Sequence, residues 1–301
     1  VANQHADWRG VEPGSDRPLI VTHGNCQAES VRRAVAASDV ATVRIPPAHE
    51  LAADDLPHLN RLLARARFFI SQPVRDDYRG LAIGTRQLAA QMPAHSTTVM
   101  FPVIRFAGLY PFHLIVRPPS DLGATPPLVA YHDARLLRTA FDRRFDPRSP
   151  VRRVDLTTEQ VMTVGLRSIA ELQQREQRHS TVLVSDLFTS PSFPQMRTIN
   201  HPGNPVWLVV AARLRRALHL AEIPAMLDHP LLDSVHAPRL PIVADTYGLP
   251  DSPTDSWLVN GHRVSCGEVE DAHLRWYEDH PDAVDAGLAR HADTLHGLGL
   301  R

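Results

Sequence analysis

Hydrophobic residues in the first hundred positions alternate between short continuous runs and helical spacing. Pro18-Leu19-Ile20-Val21-Thr22 is an apolar run that stops at His23-Gly24, as a buried strand does. From Ala28 to Ala37, alanines, valines and arginines recur at helical spacing. Strand, tight turn and helix together make half of a βαβ unit. The alternation continues with a strand over 40–45, a helix over 56–67, a strand over 68–71, a helix over 84–91 and a strand over 97–100. The pattern predicts an α/β fold, a mainly parallel sheet with helices on both faces, whose ligands gather beyond the C-terminal strand ends.

Beyond residue 117 the pattern loosens. Pro118, Pro119, Pro126, Pro127, Pro147 and Pro150 interrupt 117–151, which reads as an irregular proline-rich insert, a lid or a helical excursion. Thr157 is placed to cap a helix running to about residue 178. The run Thr181-Val182-Leu183-Val184-Ser185 reads as a strand extending to 188, and 205–220 as a helix. From 223 onward His, Pro and Asp are frequent and no repeat is found, so an irregular C-terminal extension is expected, its last residues a short helix or a frayed end. The expected division is a catalytic domain over 1–222, with the insert at 117–151, and an extension over 223–301 packed on it.

Composition narrows the chemistry. The 32 basic and 33 acidic residues leave a net charge of −1, so no overall field favours nucleic acid or an anionic membrane. Every basic residue is arginine, which removes Schiff-base and lysine-nucleophile chemistry. There is no apolar run of about 18 residues, and the N-terminal stretch is polar with acidic residues, unlike a secretory signal. No membrane span and a cytoplasmic location are expected. Two cysteines, Cys26 and Cys266, are too few for a disulfide framework, and no cluster has metal-ligand spacing, so no metal is expected.

Cys26 carries the strongest candidate chemistry. His23-Gly24-Asn25-Cys26-Gln27 falls where the first strand gives way to a helix, which places the thiol in the first helical turn. Free N–H groups and the positive end of the helix dipole favour an anion there and lower a thiol pKa from about 8.5 toward roughly 3.5–7.5. The same turn could hold an oxyanion, with the Gln27 N–H and the Asn25 amide as donors. Cys266, in Val264-Ser265-Cys266-Gly267, has no comparable setting and reads as structural.

A thiol attacking a carbonyl needs a group to take its proton and return it to the leaving group. Thr198-Ile199-Asn200-His201-Pro202-Gly203-Asn204-Pro205 puts His201 just before a helix and soon after the predicted strand at 181–188. If that strand is parallel to the first, His201 and Cys26 leave the sheet at the same end. Asp186 is the first choice to orient the imidazole, with Asn200, Asn204 and Glu29 as rivals; Glu176 precedes the strand and falls at the other edge.

His23-Gly24-Asn25-Cys26-Gln27, Phe101-Pro102 followed by Phe106, Gly108 and Pro111, Tyr131-His132-Asp133, Arg175-Glu176, Ser185-Asp186 and Asn200-His201-Pro202-Gly203-Asn204 together resemble the WcbI-type polysaccharide-biosynthesis proteins over about residues 18–220. That family is regarded as coenzyme A-binding acetyltransferases. The resemblance extends to the condensing enzymes of lincosamide antibiotic assembly, which join a carrier-bound amino acid to an amino sugar by a cysteine-protease-like mechanism. It implies Cys26 as nucleophile and His201 as general base. It also implies a pantetheinyl thioester donor, on an acyl or peptidyl carrier protein or on coenzyme A, with no permanently bound cofactor, and a small-molecule amine as acceptor. Such a donor arm needs a narrow channel ending at the thiol. Tyr78, Phe101, Phe106, Tyr110 and Phe112 are candidates to line it, and Arg105 and Arg117 to meet phosphate. His23, Asn25, Gln27 and Asn204 are further candidates for substrate contact. Three alternatives stay open: non-covalent acetyl transfer from coenzyme A, hydrolysis, and non-catalytic binding of a sugar or carrier.

Overall fold

The computed structural model describes residues 16–300. The chain begins with β1 (Leu19–His23), α1 (Gln27–Val35), β2 (Ala41–Val43), α2 (Leu56–Leu63), β3 (Phe68–Ser71), α3 (Thr85–Ala89) and β4 (Thr97–Met100). Then come β5 (His113–Leu114), β6 (His132–Asp133), α4 (Ala134–Arg143), α5 (Thr158–His179), β7 (Met196–Thr198), β8 (His201–Pro202) and α6 (Asn204–Ala217). The last third holds β9 (Val235–His236), α7 (Pro241–Tyr247), β10 (Ser256–Val259), β11 (His262–Ser265), α8 (Cys266–Asp279), α9 (Pro281–Arg290) and α10 (Ala292–Gly297). Contacts group the chain into two units. Of the described residues, the first holds 16–104, 171–187 and 203–232; the second holds 105–170, 188–202 and 233–300. The proline-rich segment groups with the tail.

The first unit carries the expected parallel sheet, in the order β2-β1-β3-β4. Side chains alternate across it. Leu19, Val21 and Phe69 join Leu59, Leu62, Leu63 and Leu88 in one apolar cluster with α2 and α3. Each such buried side chain contributes about 1.5–3 kcal/mol. On β1 from outside that cluster packs α1, which in turn packs on α6. Arg215 of α6, 1% exposed, donates to the carbonyls of Val35 and Ala221 and pairs with Asp39. It thus neutralises the C-terminal end of α1, where unsatisfied carbonyls concentrate negative potential.

The predicted strand over 181–188 does not form. Val182 N–H donates to the Met100 carbonyl, but the ladder ends there. Glu176, 6% exposed, accepts from Val184 N–H (2.6 Å), Ser185 N–H (2.8 Å) and Ser185 Oγ (2.6 Å) and turns the chain into a 3-10 helix over Ser185–Phe188. A buried carboxylate reaching back across the loop takes the donors a strand would have used.

The second unit is more regular than its composition suggests. The insert contains α4, capped by Asp133, whose carboxylate accepts from Arg135 N–H. The tail is not irregular either: β11-β10-β9 form an antiparallel sheet, and three helices follow. Two local features of the sequence carry this order. Asn260-Gly261, with φ of +49° and +82°, is the two-residue turn that joins β10 to β11, both residues in the left-handed region that Asn and Gly tolerate. Ser265 and Glu268 form a capping box that starts α8.

Candidate active site

In a parallel sheet of order 2-1-3-4 the chain leaves β1 toward one side and β3 lies on the other, so the C-terminal ends of β1 and β3 flank the point where ligands bind in such folds. Cys26 sits at that point. It is the N-cap residue of α1, has helical backbone angles, and is partly exposed and free of any disulfide.

The turn around it is braced by side chains rather than by a regular ladder. Gln72, at the end of β3, accepts from Asn25 N–H at 2.8 Å and donates through Nε2 to Gln27 Oε1 at 3.0 Å. Gln27 Oε1 also accepts from Ile104 N–H at 3.0 Å, and its Nε2 donates to the Ile104 carbonyl at 2.8 Å. The Thr85 hydroxyl in turn donates to the Gln72 carbonyl. Gly24 makes the approach of β1 to Gln72 possible: at φ +154° a Cβ there would stand 2.5 Å from Gln72 Oε1. Amide side chains far apart in sequence thus fix the backbone on both sides of the thiol.

Several expected contacts are corrected by this geometry. The Gln27 N–H is not a spare oxyanion donor, because Asn25 Oδ1 accepts it at 2.9 Å, and the Ala28 N–H donates to the Asn25 carbonyl. Gln27 and His23 are both fully buried, so neither presents its side chain to substrate. His23 Nε2 lies 3.0 Å from the Ile83 carbonyl, which makes it the protonated nitrogen, and the ring stacks on Phe69. Burial pushes its pKa down to about 4, partly opposed by that hydrogen bond, so it is neutral near pH 7. Asn204, first residue of α6, is occupied at both ends of its amide: Oδ1 accepts from Leu231 N–H and Nδ2 donates to the His229 carbonyl. Tyr78 packs at the border of the α2–α3 cluster.

The exposed Asp186 is held by Arg213 through both carboxylate oxygens, at 2.7 and 2.6 Å. The hydrogen bonds from that guanidinium, more than its charge, keep the Asp186 pKa below the ordinary carboxylate value.

His201 belongs to the second unit, in β8. Its ring meets the edge of Tyr131 at 5.9 Å. Tyr131 donates its hydroxyl proton to Asn200 Oδ1 at 2.7 Å, and the Thr198 hydroxyl lies 2.8 Å from the same phenol. Burial, then the nearby charges of Arg197 and His236, push the His201 pKa down to about 4, and its Nδ1 has no hydrogen-bond partner among the described residues. The expected carboxylate on Nδ1 is therefore not found. Phe106, offered as a channel residue, is 1% exposed and stacked on Phe188 at 4.7 Å, which makes it core. Tyr110, with its hydroxyl on the Met196 carbonyl, is also sealed, and Phe101 is fully buried. Arg105 is half-buried and Arg117 exposed.

Among the described residues no group of three His, Cys, Asp or Glu could hold a metal ion, and no helix is long and apolar enough to cross a membrane.

Comparison with known proteins adds two findings. Residues 19–222 match the family described as polysaccharide biosynthesis enzyme WcbI. A solved structure of WcbI, described as the native protein without a disulfide bond between coenzyme A and one of its cysteines, is similar at 18% identity. Its TM-score is 0.75 over 94% of this chain and 99% of that one, which is a likeness of fold. No curated protein matches.

Proposed function

This chain belongs to the WcbI family of polysaccharide-biosynthesis enzymes, and from that premise we propose that it transfers an acyl group from a pantetheinyl thioester to a small amine through an acyl-Cys26 intermediate. The supporting observation is the placement of Cys26: a partly exposed thiol at the N-terminus of α1, at the sheet's switch point, with its backbone clamped by Gln72 and Gln27. A nucleophile gains most when its own geometry is fixed before substrate arrives. That the similar solved structure is described in terms of coenzyme A and a cysteine favours a pantetheine donor, whether on coenzyme A or on a carrier protein.

In the proposed reaction the Cys26 sulfur attacks the thioester carbonyl carbon, the bond from that carbon to the pantetheine sulfur breaks, and pantetheine leaves as the thiol. The acceptor nitrogen then attacks the acyl-cysteine carbonyl, a C–N bond forms, and the Cys26 sulfur is released. His201 is the proposed proton carrier. It accepts the thiol proton, gives it to the departing pantetheine sulfur, and later takes one from the amine nitrogen. Burial leaves its imidazole unprotonated at neutral pH.

Replacement of Cys26 by Ala tests the reading. With acyl-loaded donor and an amine acceptor, amide formation should fall by at least roughly a thousandfold. Turnover close to the unmodified rate would end the covalent proposal and favour direct transfer from coenzyme A.

A further inference from the structure

His201 lacks the partner that commonly fixes a proton-carrying imidazole. A carboxylate or carbonyl on the second ring nitrogen ordinarily sets both the tautomer and the direction of such a ring. The Nδ1 of His201 is buried and has no hydrogen-bond partner among the described residues. The plane of the ring is therefore held by packing rather than by a hydrogen bond at that atom.

Neighbouring rings of the second unit supply the packing. Tyr131, 6% exposed, meets His201 at 5.9 Å with an interplanar angle of 85°, an arrangement favoured because the electron-rich face of one ring attracts the electron-poor edge of the other. The Tyr131 hydroxyl is tied to the hairpin that bears His201. It donates to Asn200 Oδ1 at 2.7 Å and accepts from the Thr198 hydroxyl at 2.8 Å, and Thr198 is the ladder partner of His201 between β7 and β8. Trp257 of β10, 4% exposed, stacks on Tyr131 at 5.9 Å and 12°. Trp257 in turn stacks on His113 at 4.8 Å, and its strand is the middle one of β11-β10-β9. A chain of rings thus runs from a paired strand of the tail to the imidazole.

We propose that Tyr131 and Trp257 are the positioning residues of His201: the ring of Tyr131 sets the plane of the imidazole, and Trp257 keeps Tyr131 from tilting. Proton transfer needs the carrier within about 2.6–3.2 Å of its partner atom, so a tilted ring loses rate without losing substrate. Trp257 lies beyond residues 19–222, which match the family, and through it the tail takes part in the site. The value of this hold for catalysis rests on the acyl-transfer reading; the hold itself does not.

Trp257→Leu removes the aromatic face and keeps an apolar side chain, and Trp257→Phe restores a ring. With isotope-labelled histidine, the His201 Cε1–H resonance is the one lost in His201→Gln, and its titration can be followed by NMR. Burial holds the midpoint down to about 4, helped by Arg197 and His236, which share Asp233 between them; all three stay in place in every variant. Trp257→Leu should raise the midpoint toward the ordinary 6.5, because a ring free to tilt reaches water, and Trp257→Phe should keep it near 4. Tyr131→Phe, which keeps the ring but frees it from Thr198 and Asn200, should raise it by a smaller step. Trp276→Ala, whose indole stacks on His280 instead, should leave it unmoved. On the same proteins, kcat for acylation of Cys26 by an acyl-pantetheine donor should drop roughly tenfold in Trp257→Leu, with KM unchanged, and recover in Trp257→Phe. An unmoved midpoint in both Trp257→Leu and Tyr131→Phe, an equal shift in Trp276→Ala, or a moved midpoint with acylation unchanged would overturn the proposal. Absence of acylation in the unaltered protein would sink acyl transfer alone, since the titrations still read the hold on the ring.

Discussion

Substituting Ala for Gly24 should disturb both stability and the site. The backbone there has φ +154°, a conformation that costs a residue with a side chain about 1–3 kcal/mol. The new Cβ would fall 2.5 Å from Gln72 Oε1 and 3.0 Å from Cδ and Cγ, so Gln72, 2% exposed, has to swing aside. The Asn25 N–H then loses its acceptor and Gln27 Oε1 one of its donors, each such loss being worth about 1–3 kcal/mol. Taking the low end of every term gives about 3 kcal/mol, or a Tm lower by roughly 5–10 °C in a chain of this size. Urea unfolding measures the first figure and a thermal melt the second. Gly261→Ala is the control: φ is +82° but nothing lies within 4 Å, so it should cost only the backbone part, about 1–2 kcal/mol. A Gly24→Ala protein no less stable than Gly261→Ala would show that the Gln72 brace does not hold the turn.

Three further outcomes are expected. Asp186→Asn should cost less than about 1 kcal/mol, because its pair with Arg213 is exposed, and should leave the rate unchanged; a hundredfold loss of turnover with intact folding would restore it as the orienting group. Glu176→Ala strands two backbone N–H groups and a hydroxyl in the interior and should lower stability in urea by about 3–5 kcal/mol, a loss that a change under about 1 kcal/mol would contradict. His23 has a folded pKa near 4 against 6.5 unfolded, so the unfolded chain binds the extra proton between those values. Its contribution is complete above pH 6.5 and fades toward pH 4 by about 3 kcal/mol in all; His23→Gln should flatten that part of the stability–pH curve, and an unchanged curve would refute the assignment.

The parallel sheet was legible because β1 and β3 are apolar runs separated by helical spacing, and this local pattern depends on no distant partner. Cys26 was legible for the same reason: strand, glycine and helix are adjacent in the chain. What holds Cys26 in place was not, since Gln72 and Ile104 reach Gln27 across 45 and 77 residues. The run at 181–185 has strand composition, yet Glu176 captures its donors, a long reach that no local pattern shows. The tail misled for the opposite reason. Its strands are only two to four residues long and β11 is largely exposed, so hydrophobic alternation is absent, and the Asn260-Gly261 turn was the signal that remained. Asn204 and Gln27 look like site residues because amides are poor core residues; here each is buried or half-buried and hydrogen-bonded to backbone groups, Gln27 to the Gln72 side chain as well.

Brief exposure of the protein to an acyl-pantetheine donor without acceptor, followed by peptide mass spectrometry, examines the covalent step itself. The peptide containing Cys26 should gain the acyl mass, and lose it when an amine is added. A protein that makes amide at full rate while Cys26 stays unmodified, or carries the acyl group on Cys266, would contradict the account.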